Sequence, residues 1–376
     1  MRISQFKSGK YIQRIQYKSF EPTLINQSWN LDNPELTLLL SRADQKLGEL
    51  NAFSQLVPDI DFFIKMHVLK EGTKSSRIEG TQTNIDDALM AKNLITPDKK
   101  DDWQEVQNYV RAMNESVLEL SKLPLSNRLL KKAHSILLKG VRGKHKQPGK
   151  FRTSQNWIGG SNLNDAKFIP PHQVGILDYM SDLEKFIHSD NTNLPPLIKI
   201  GIMHYQFETI HPFLDGNGRI GRLMITLYLV NSGLLTKPTL YLSDFFEKNR
   251  ELYYDNLTNV RTKNDLNQWL KFFLEGVRIT ALNSIETFKE IIELRALSEA
   301  KIISLGKKQM LAKKLLEYLY SQPITDMQST AKALEISIPT AARLLNDMVK
   351  LEILNEITGF KRNRIFTFEK YLNLFR

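Results

Sequence analysis

Apolar residues recur at three- and four-residue spacing along most of the chain, as they do at Leu129, Leu130, Ala133, Ile136 and Leu137. Few stretches alternate strictly between apolar and polar residues. The first pattern is typical of helices with one buried face, whereas the second is typical of half-exposed strands. The sequence therefore predicts a mainly α-helical protein.

Proline-containing turn signals separate an N-terminal module from the one that follows. Asp32-Asn-Pro-Glu35 and Thr96-Pro-Asp98 combine residue types that favour turns. Residues 1–100 are predicted to form an N-terminal helical module that begins with an extended arm. Residues 101–300 are predicted to form a second helical domain, which a stretch rich in glycine, asparagine and proline interrupts from Gly140 to Pro171.

That interrupting stretch has the composition of a β-hairpin or flap. The expected arms are Phe151-Arg-Thr-Ser-Gln-Asn-Trp-Ile-Gly-Gly-Ser161 and Lys167-Phe-Ile-Pro-Pro171, with a turn at Asn162-Leu-Asn-Asp165. Because proline has no backbone N–H, the two consecutive prolines limit the second arm to the edge of a sheet.

The C-terminal residues 305–376 follow a different pattern, of short helices and a basic tail. Helices are expected at 310–320, 330–334 and 339–350, before an extended tail at 351–368. This order predicts a winged helix-turn-helix, a fold that binds either duplex DNA or other proteins. Three basic residues of the expected wing are candidates for contacts with a phosphate backbone: Lys361, Arg362 and Arg364.

Composition narrows the classes of function. With 376 residues, 41% hydrophobic and 25% charged, the chain is long enough to bury a large core. The absence of cysteine excludes disulfides, thiolate metal sites and a cysteine nucleophile. A net charge of +11 favours polyanionic partners. No apolar run has the length of a membrane span or a signal peptide, so we expect a cytoplasmic protein without a membrane partner.

Candidate chemistry is concentrated in His211-Pro-Phe-Leu-Asp-Gly-Asn-Gly-Arg-Ile-Gly-Arg222. The preceding residues 195–210 have the pattern of a helix that starts at proline. The glycines of Asp215-Gly-Asn-Gly218 allow backbone N–H groups to turn inward, and a second helix begins there. Its positive N-terminal dipole adds to the same concavity, which is therefore predicted to bind phosphate.

Four charged or titratable side chains accompany this concavity. Arg219 and Arg222 lie three residues apart on one helix face, where two guanidinium groups can hold the outer phosphates of a triphosphate. Asp215 is a candidate Mg²⁺ ligand. His211 is a candidate general base, because a neutral imidazole accepts a proton at neutral pH. Together they predict phosphoryl or nucleotidyl transfer.

The twelve residues match the signature of the Fic family, His-x-Phe-x-(Asp/Glu)-Gly-Asn-Gly-Arg-x-x-Arg, at every specified position. The resemblance implies a helical Fic core with a hairpin flap that transfers AMP from Mg·ATP to serine, threonine or tyrosine of a target protein and of itself, releasing pyrophosphate. It implies that His211 is the base and that Asp215 holds Mg²⁺. The nucleotide-binding residues implied within the motif are Asp215, Gly216, Asn217, Gly218, Arg219, Ile220, Gly221 and Arg222.

The resemblance extends to the flap and to an adenosine pocket. Flap residues implied to lie nearest the substrate are Ile158, Gly159, Gly160 and Ser161. Tyr253 is implied to contact adenosine. Some relatives carry an asparagine eight residues after that tyrosine, whereas this chain has Arg261. We interpret His204 and Glu208, which precede the motif, as structural.

Upstream, Ser75-Ser-Arg-Ile-Glu-Gly80 resembles the family's inhibitory helix pattern, (Ser/Thr)-x-x-x-Glu-(Gly/Asn). The resemblance implies that Ser75, Glu79 and Gly80 form an inhibitory segment. Glu79 is expected to pair with Arg222 in the nucleotide site, so that ATP binds unproductively.

Two other functions remain open from the sequence. One is the transfer of a different phosphate-containing group, although the presence of both Arg219 and Arg222 favours ordinary ATP orientation. The other is a DNA-binding transcriptional regulator with a vestigial nucleotide-binding Fic core. By analogy with the family, we expect a homodimer.

Overall fold

The computed structural model describes residues 1–90, 92, 95–360 and 363–376. Lys361 and Arg362, two of the basic residues predicted for the wing, lie outside the described residues. The fold is mainly α-helical, as the sequence predicted. The helices are α1 Pro34–Leu56, α2 Ile60–Ile78, α3 Ile85–Leu89, α4 Lys100–Glu119, α5 Asn127–Leu137, α6 Ile176–His188, α7 Pro196–Ile210, α8 Asn217–Asn231, α9 Ser243–Lys248, α10 Arg250–Lys263, α11 Leu266–Ile303, α12 Gln309–Ser321, α13 Met327–Leu334, α14 Ile338–Lys350 and α15 Glu369–Leu372. The strands are β1 Gly9–Gln13, β2 Lys18–Pro22, β3 Ile324–Asp326, β4 Asn355–Glu356 and β5 Ile365–Thr367.

Polar side chains at predicted turn positions start several helices. Asn33 accepts hydrogen bonds from the backbone N–H groups of Glu35 and Leu36, and proline follows it as the first residue of α1. Asp326 accepts a bond from the N–H of Ser329 at the start of α13. Such caps satisfy backbone donors that a helix leaves free at its first turn.

The N-terminal arm is a β-hairpin, which the sequence analysis expected only as an extended segment. Strands β1 and β2 pair antiparallel with Gly9 opposite Pro22. The N–H of Phe20 donates to the carbonyl of Ile169 at 2.9 Å, so β2 also contacts the second arm of the flap. The strands have five residues each, too few for alternation to be a clear signal.

Helix α7 is the centre of the core and is buried along its whole length. Helices α6, α8 and α11 pack around it. At Gly201 a Cβ would lie 2.7 Å from Leu270 Cδ2, so glycine permits the close approach of α11. Because helices surround α7 from Leu197 to Ile210, it gives His211, which follows its last residue, a rigid support. No helix in the described part of the chain is long and apolar enough to span a bilayer.

The described C-terminal elements form a unit of four helices, α12 to α15, and a small sheet. Strands β3, β5 and β4 pair antiparallel in that order, beside α12, α13 and α14. This unit packs on α2, where the ring of Phe63 meets Tyr320 at 5.1 Å and His67 meets Phe375 at 5.0 Å between centroids. The C-terminal unit therefore contacts the helix that carries the predicted inhibitory segment.

Candidate functional site

His211 follows the last residue of α7 in a left-handed conformation, with φ of 50°. Its backbone N–H donates to the carbonyl of Phe207, and its own carbonyl accepts bonds from Arg152 Nε at 3.0 Å and Asn156 Nδ2 at 3.3 Å. A positive φ is uncommon outside glycine and needs such support. The backbone of the predicted base is therefore fixed by the flap's first arm.

The imidazole of His211 is neutral at physiological pH. Burial, followed by the positive charge of Arg152, lowers the pKa of His211 to about 3. Its Nδ1 atom is buried and has no hydrogen-bond partner among the described residues. A neutral imidazole can accept a proton from a hydroxyl, which is what a general base requires.

The loop after His211 is closed by an asparagine and supported by a histidine. Asn217 accepts from the N–H of Phe213 and donates to its carbonyl, both at 2.8 Å. His134 stacks on the ring of Phe213 at 3.8 Å between centroids. Because His134 Nδ1 accepts from the N–H of Gly149, its Nε2–H is the atom that donates to the carbonyl of Asp215. These bonds hold the loop in one shape.

The carboxylate of Glu79 lies at the N-terminus of α8, beside Gly218 and Arg222. A Cβ at position 218 would lie 2.2 Å from Glu79 Oε1 and 2.9 Å from Arg222 Nη1, so glycine at this position lets both side chains approach the helix closely. Free N–H groups and the helix dipole favour a negative charge at such a position. Glu79 therefore occupies space in which the sequence predicts a phosphate.

Arg222 is fully enclosed by the predicted inhibitory segment. Its Nε donates to Ser75 Oγ at 2.9 Å, and its Nη2 donates to the carbonyl of Ser75 at 2.8 Å and to Glu79 Oε1 at 2.7 Å. The Arg222 side chain is 1% exposed and that of Glu79 is 35% exposed. Burial would raise the pKa of Glu79, but the charge and hydrogen bond of Arg222 lower it below the usual value. The pair is thus ionic.

Glu79 lies directly after α2, whose last residue is Ile78. Gly80 follows with φ of 100°, a conformation that strains residues with a side chain, and a Cβ there would meet nothing within 4 Å. Gly80 therefore ends the helix, and Glu79 is placed at its free end.

Arg219, which lies on α8 like Arg222, forms an ion pair with a residue of α4. Its Nη1 donates to Glu105 Oε2 at 3.1 Å, and both side chains are almost fully buried. Its Nη2 is 3.4 Å from Asp215 Oδ1, a weaker contact. Arg219 is therefore held by the middle of α4 while Asp215, 39% exposed, keeps oxygen atoms available.

Asp215 is the residue of the loop best suited to Mg²⁺. In the part of the chain that the structure describes, no group of three or more His, Asp or Glu side chains could hold a metal ion. Mg²⁺ commonly binds one or two carboxylates together with phosphate oxygens and water. One partly exposed carboxylate beside an anion site fits that preference, so Asp215 would hold the ion together with a bound polyphosphate.

The flap is less regular than the hairpin that the sequence predicted. Ile158 and Phe168 pair through two backbone hydrogen bonds, of 2.8 and 3.1 Å, as an isolated bridge. Beyond it, Gly159 and Gly160 have positive φ, and the N–H and hydroxyl of Ser161 bond to Asp165. Those glycines bend the chain out of strand conformation, because positive φ is incompatible with a β-ladder. The predicted substrate-side residues lie together at this tip.

Tyr253, the predicted adenosine contact, is buried. His204 donates from Nδ1 to the carbonyl of Gly221, so its Nε2 accepts from the hydroxyl of Tyr253 at 2.8 Å. The two rings lie in an aromatic cluster with Phe246 and Trp269. His204 therefore joins α8 to α10 through both ring nitrogens, in keeping with its interpretation as structural.

Tyr254 follows Tyr253 on α10, and their ring centroids lie 5.2 Å apart. Burial, and then the charge of Glu79, raise the pKa of Tyr254 to about 12, so its hydroxyl stays protonated.

Arg261, which replaces an asparagine of some relatives, stacks over the ring of Phe168 at 4.0 Å and donates to Thr209 Oγ1 at 3.2 Å. The departure from the family pattern thus connects α10 to the flap.

Several residues of the site were not assigned a role from sequence. Glu105 holds Arg219, Arg152 and Asn156 hold the carbonyl of His211, and His134 supports the loop. Each lies 55 or more residues from its partner along the chain, so no local spacing signals it.

Profiles of one protein family match two stretches of the chain. The profile described as Fic/DOC family N-terminal matches residues 37–118, and the profile described as Fic/DOC family matches residues 124–229. Between them they cover half of the 376 residues, including Glu79 and the loop at 211–222. The chain belongs to the Fic/DOC family.

Relatives within the Fic family carry names that describe an activity. The chain is similar to protein adenylyltransferase fic-1 of Caenorhabditis briggsae, with 26% identity over 170 residues, which are 42% of this chain and 30% of that protein. It is 30% identical to protein adenylyltransferase fic-1 of Caenorhabditis elegans over 88 residues, 23% of this chain and 16% of that protein. The chain therefore matches less than a third of the length of these relatives.

A solved structure supports the Fic fold over most of the chain. A Fic family protein from Desulfovibrio desulfuricans G20 superposes with a TM-score of 0.56 at 22% identity, over 91% of this chain and 98% of that one. At this identity the likeness concerns the fold.

Proposed function

We propose that this Fic protein is a protein adenylyltransferase that Glu79 keeps inhibited. The observation that carries the proposal is the anion site at the start of α8, which a carboxylate on a free helix end occupies and a phosphate would also fit. A neutral imidazole at His211 and a partly exposed carboxylate at Asp215 flank it. The names of the relatives support AMP as the transferred group.

In the proposed reaction the hydroxyl oxygen of a serine, threonine or tyrosine of the target attacks the α-phosphorus of ATP. The new O–P bond forms as the bond between the α-phosphorus and the bridging oxygen breaks, and pyrophosphate leaves. His211 takes the hydroxyl proton. The turn at 216–219 would hold the α- and β-phosphates with backbone N–H groups, and Arg222 the γ-phosphate. A Mg²⁺ ion at Asp215 would neutralise charge on the phosphates.

Inhibition follows from competition for one guanidinium. While Glu79 accepts a hydrogen bond from Arg222 Nη2, that nitrogen cannot hold a γ-phosphate. The pyrophosphate end would then lie elsewhere, and the α-phosphorus would not face the base. Because Glu79 is partly exposed, a local movement of the end of α2 is sufficient to release it.

The reaction class is tested by labelling Glu79→Gly with ATP that carries ³²P on either the α- or the γ-phosphate, in the presence of Mg²⁺. Adenylyl transfer predicts label on protein from α-labelled ATP and none from γ-labelled ATP. Label from the γ-position alone would indicate phosphoryl transfer and reject the proposal.

The C-terminal unit suggests a second candidate function. The order of α12, α13 and α14 and the small sheet β3-β5-β4 support the prediction of a winged helix-turn-helix, and the first turn of α14 is exposed. We propose that α14 and the segment before β5 contact duplex DNA. Binding that weakens steeply as salt rises, and that Arg343→Gln weakens, supports this role. Binding unaffected by either change rejects it.

Homodimerisation and the division at 1–100, 101–300 and 305–376 stay predictions. Sedimentation of the full chain over a range of concentrations tests the first, and limited proteolysis the second.

A further inference from the structure

A cleft between α2, α9 and α11 lies outside the residues so far assigned a role. Among its lining side chains are His67, Lys70 and Lys74 of α2, Lys248 of α9, and Asn283 and Thr287 of α11. The α2 residues lie three, four or seven positions apart and so share one helix face. Donor groups from three helices therefore converge on one cavity.

The floor of the cleft has an unsatisfied polar atom. His67 is 7% exposed, and its Nε2 has no hydrogen-bond partner among the described residues. Burial, and then the charge of Lys70, lower the pKa of His67 to about 3, so the ring is neutral and can present an N–H. Buried polar atoms of native proteins are normally paired, and an exception suggests a missing partner.

The walls of the cleft carry more positive than negative charge. Asp244 pairs with Lys248 at 2.8 Å and Lys74 at 3.2 Å. Lys70 is half-buried and has no salt-bridge partner within the described ranges. Burial lowers the pKa of Lys70, and the neighbouring Lys248 and Lys74 lower it further against the effect of Asp244. Lys74 also pairs with Glu247 at 3.3 Å, and the buried carboxyl of Glu71 lines the cleft as well. The lining therefore has three ammonium groups and two carboxyls.

We propose that this cleft binds a dianionic phosphate group, either free or carried by a small metabolite. A phosphate has several acceptor oxygens, which suit ammonium, amide, hydroxyl and imidazole donors arriving from different helices. Its charge would complement Lys70, whose ammonium Asp244 does not pair. The same group would satisfy His67 Nε2.

Bound phosphate would connect α2 to α9 and α11. Since α2 ends at Glu79, we expect the ligand to hold the helix in place and to strengthen inhibition. This consequence rests on the proposed function, whereas the binding site itself does not.

Nitrogen NMR of the full chain with ¹⁵N-labelled histidine tests the site directly. The seven imidazoles include His67 in the cleft and His134 and His211 at the loop, so one spectrum separates the two places where phosphate could bind. The His67 signals are assigned with His67→Asn. Titration with inorganic phosphate should shift the Nε2 signal of His67 saturably.

Lys70→Gln with Lys248→Gln should weaken the phosphate-dependent shift of His67 at least about tenfold, since each charged donor contributes strongly. The matched control, Lys122→Gln with Lys314→Gln, removes the same charge from exposed positions and should leave the His67 shift unchanged.

Glycerol 3-phosphate is titrated in parallel, and tighter binding than inorganic phosphate identifies a phosphoester as the ligand class. A His67 signal that does not move up to about 20 mM of either probe, where a millimolar site is saturated, overturns the proposal. A shift that the paired Lys70 and Lys248 variant retains also overturns it.

Discussion

The two arginines of the motif are neighbours on α8 but have partners of different kinds. Arg219 pairs with Glu105, which lies within α4 and is 7% exposed. Arg222 pairs with Glu79, which lies at the end of α2 and is 35% exposed. A buried pair is costly to separate, whereas a partly exposed one is screened by water. One arginine is therefore fixed by the fold, and the other is held by a group that can leave.

The wider contacts strengthen this difference. Glu105 also accepts bonds from Thr81 at 3.2 Å and from Arg142 at 3.0 Å, so it belongs to a network. In the described part of the chain, the Glu79 carboxylate has one salt-bridge partner, Arg222. This difference supports the proposal that Glu105 is structural and Glu79 regulatory.

The largest effect on activity is expected at His211. The two arginines would only place the nucleotide, whereas His211 would take the proton. In the Glu79→Gly background, His211→Ala should lower adenylyl transfer about 10²- to 10⁴-fold, the usual contribution of a general base. Initial rates with α-labelled ATP measure it. His188→Ala, which removes an imidazole from the end of α6, should keep nearly full activity. Equal loss in both variants would show that the effect is structural.

The fixed pair should dominate stability. Glu105→Gln removes the buried ionic partner of Arg219, leaves only the longer contact with Asp215, and should lower the free energy of unfolding by about 3 kcal/mol. Urea unfolding measures it. On the same helix, Glu115→Gln breaks an exposed pair with Arg111 and should cost less than about 0.5 kcal/mol. Similar values for the two variants would remove the distinction between a fixed and a detachable partner.

The detachable pair should dominate activity. Glu79→Gly should raise adenylyl transfer about tenfold or more, since Arg222 regains a charge-assisted hydrogen bond for phosphate. Stability should fall less than in Glu105→Gln, because Arg222 keeps its bonds to the hydroxyl and carbonyl of Ser75 and the space of the partly exposed Glu79 side chain is open to water. Arg77→Gly is the control. It weakens the same last turn of α2, but Arg77 pairs with Glu247 and so does not occupy the nucleotide site. Activation by Arg77→Gly to the same extent would assign the effect to helix loosening.

The smallest effect is expected from pH. The pKa of Glu79 lies below its usual value, so the carboxylate stays ionised above about pH 5, and the pairing is lost only as pH falls through that lowered pKa. The pKa of His211 is about 3, so the base is neutral over the same range. Transfer by Glu79→Gly should change less than about threefold between pH 5 and 8, whereas a base with an ordinary pKa near 6.5 loses about thirtyfold at pH 5. A steep fall below pH 6.5 would contradict the buried, neutral His211.

The motif loop was predictable because its chemistry is contiguous. Between His211 and Arg222 the sequence itself contains the candidate base, the turn glycines and both arginines. The mainly helical fold was predictable for a related reason, since its periodicity is local.

What supports the loop was not predictable from spacing. Glu105 lies 114 residues from Arg219, and His134 lies 81 from Asp215. The packing of α4, α5 and α8 against one another determines which of these distant residues come into contact. The N-terminal hairpin and the bent flap depend on backbone pairing across the fold, which carries little residue preference.

The central proposal is that Glu79 competes with the γ-phosphate for Arg222. The most direct test measures dissociation constants of Mg·ATP and Mg·ADP by calorimetry in the His211→Ala background, with and without Glu79→Gly. Because ADP has no γ-phosphate, Glu79→Gly should tighten ATP binding about tenfold and leave ADP binding nearly unchanged. Equal tightening of both nucleotides, or of neither, would contradict the competition.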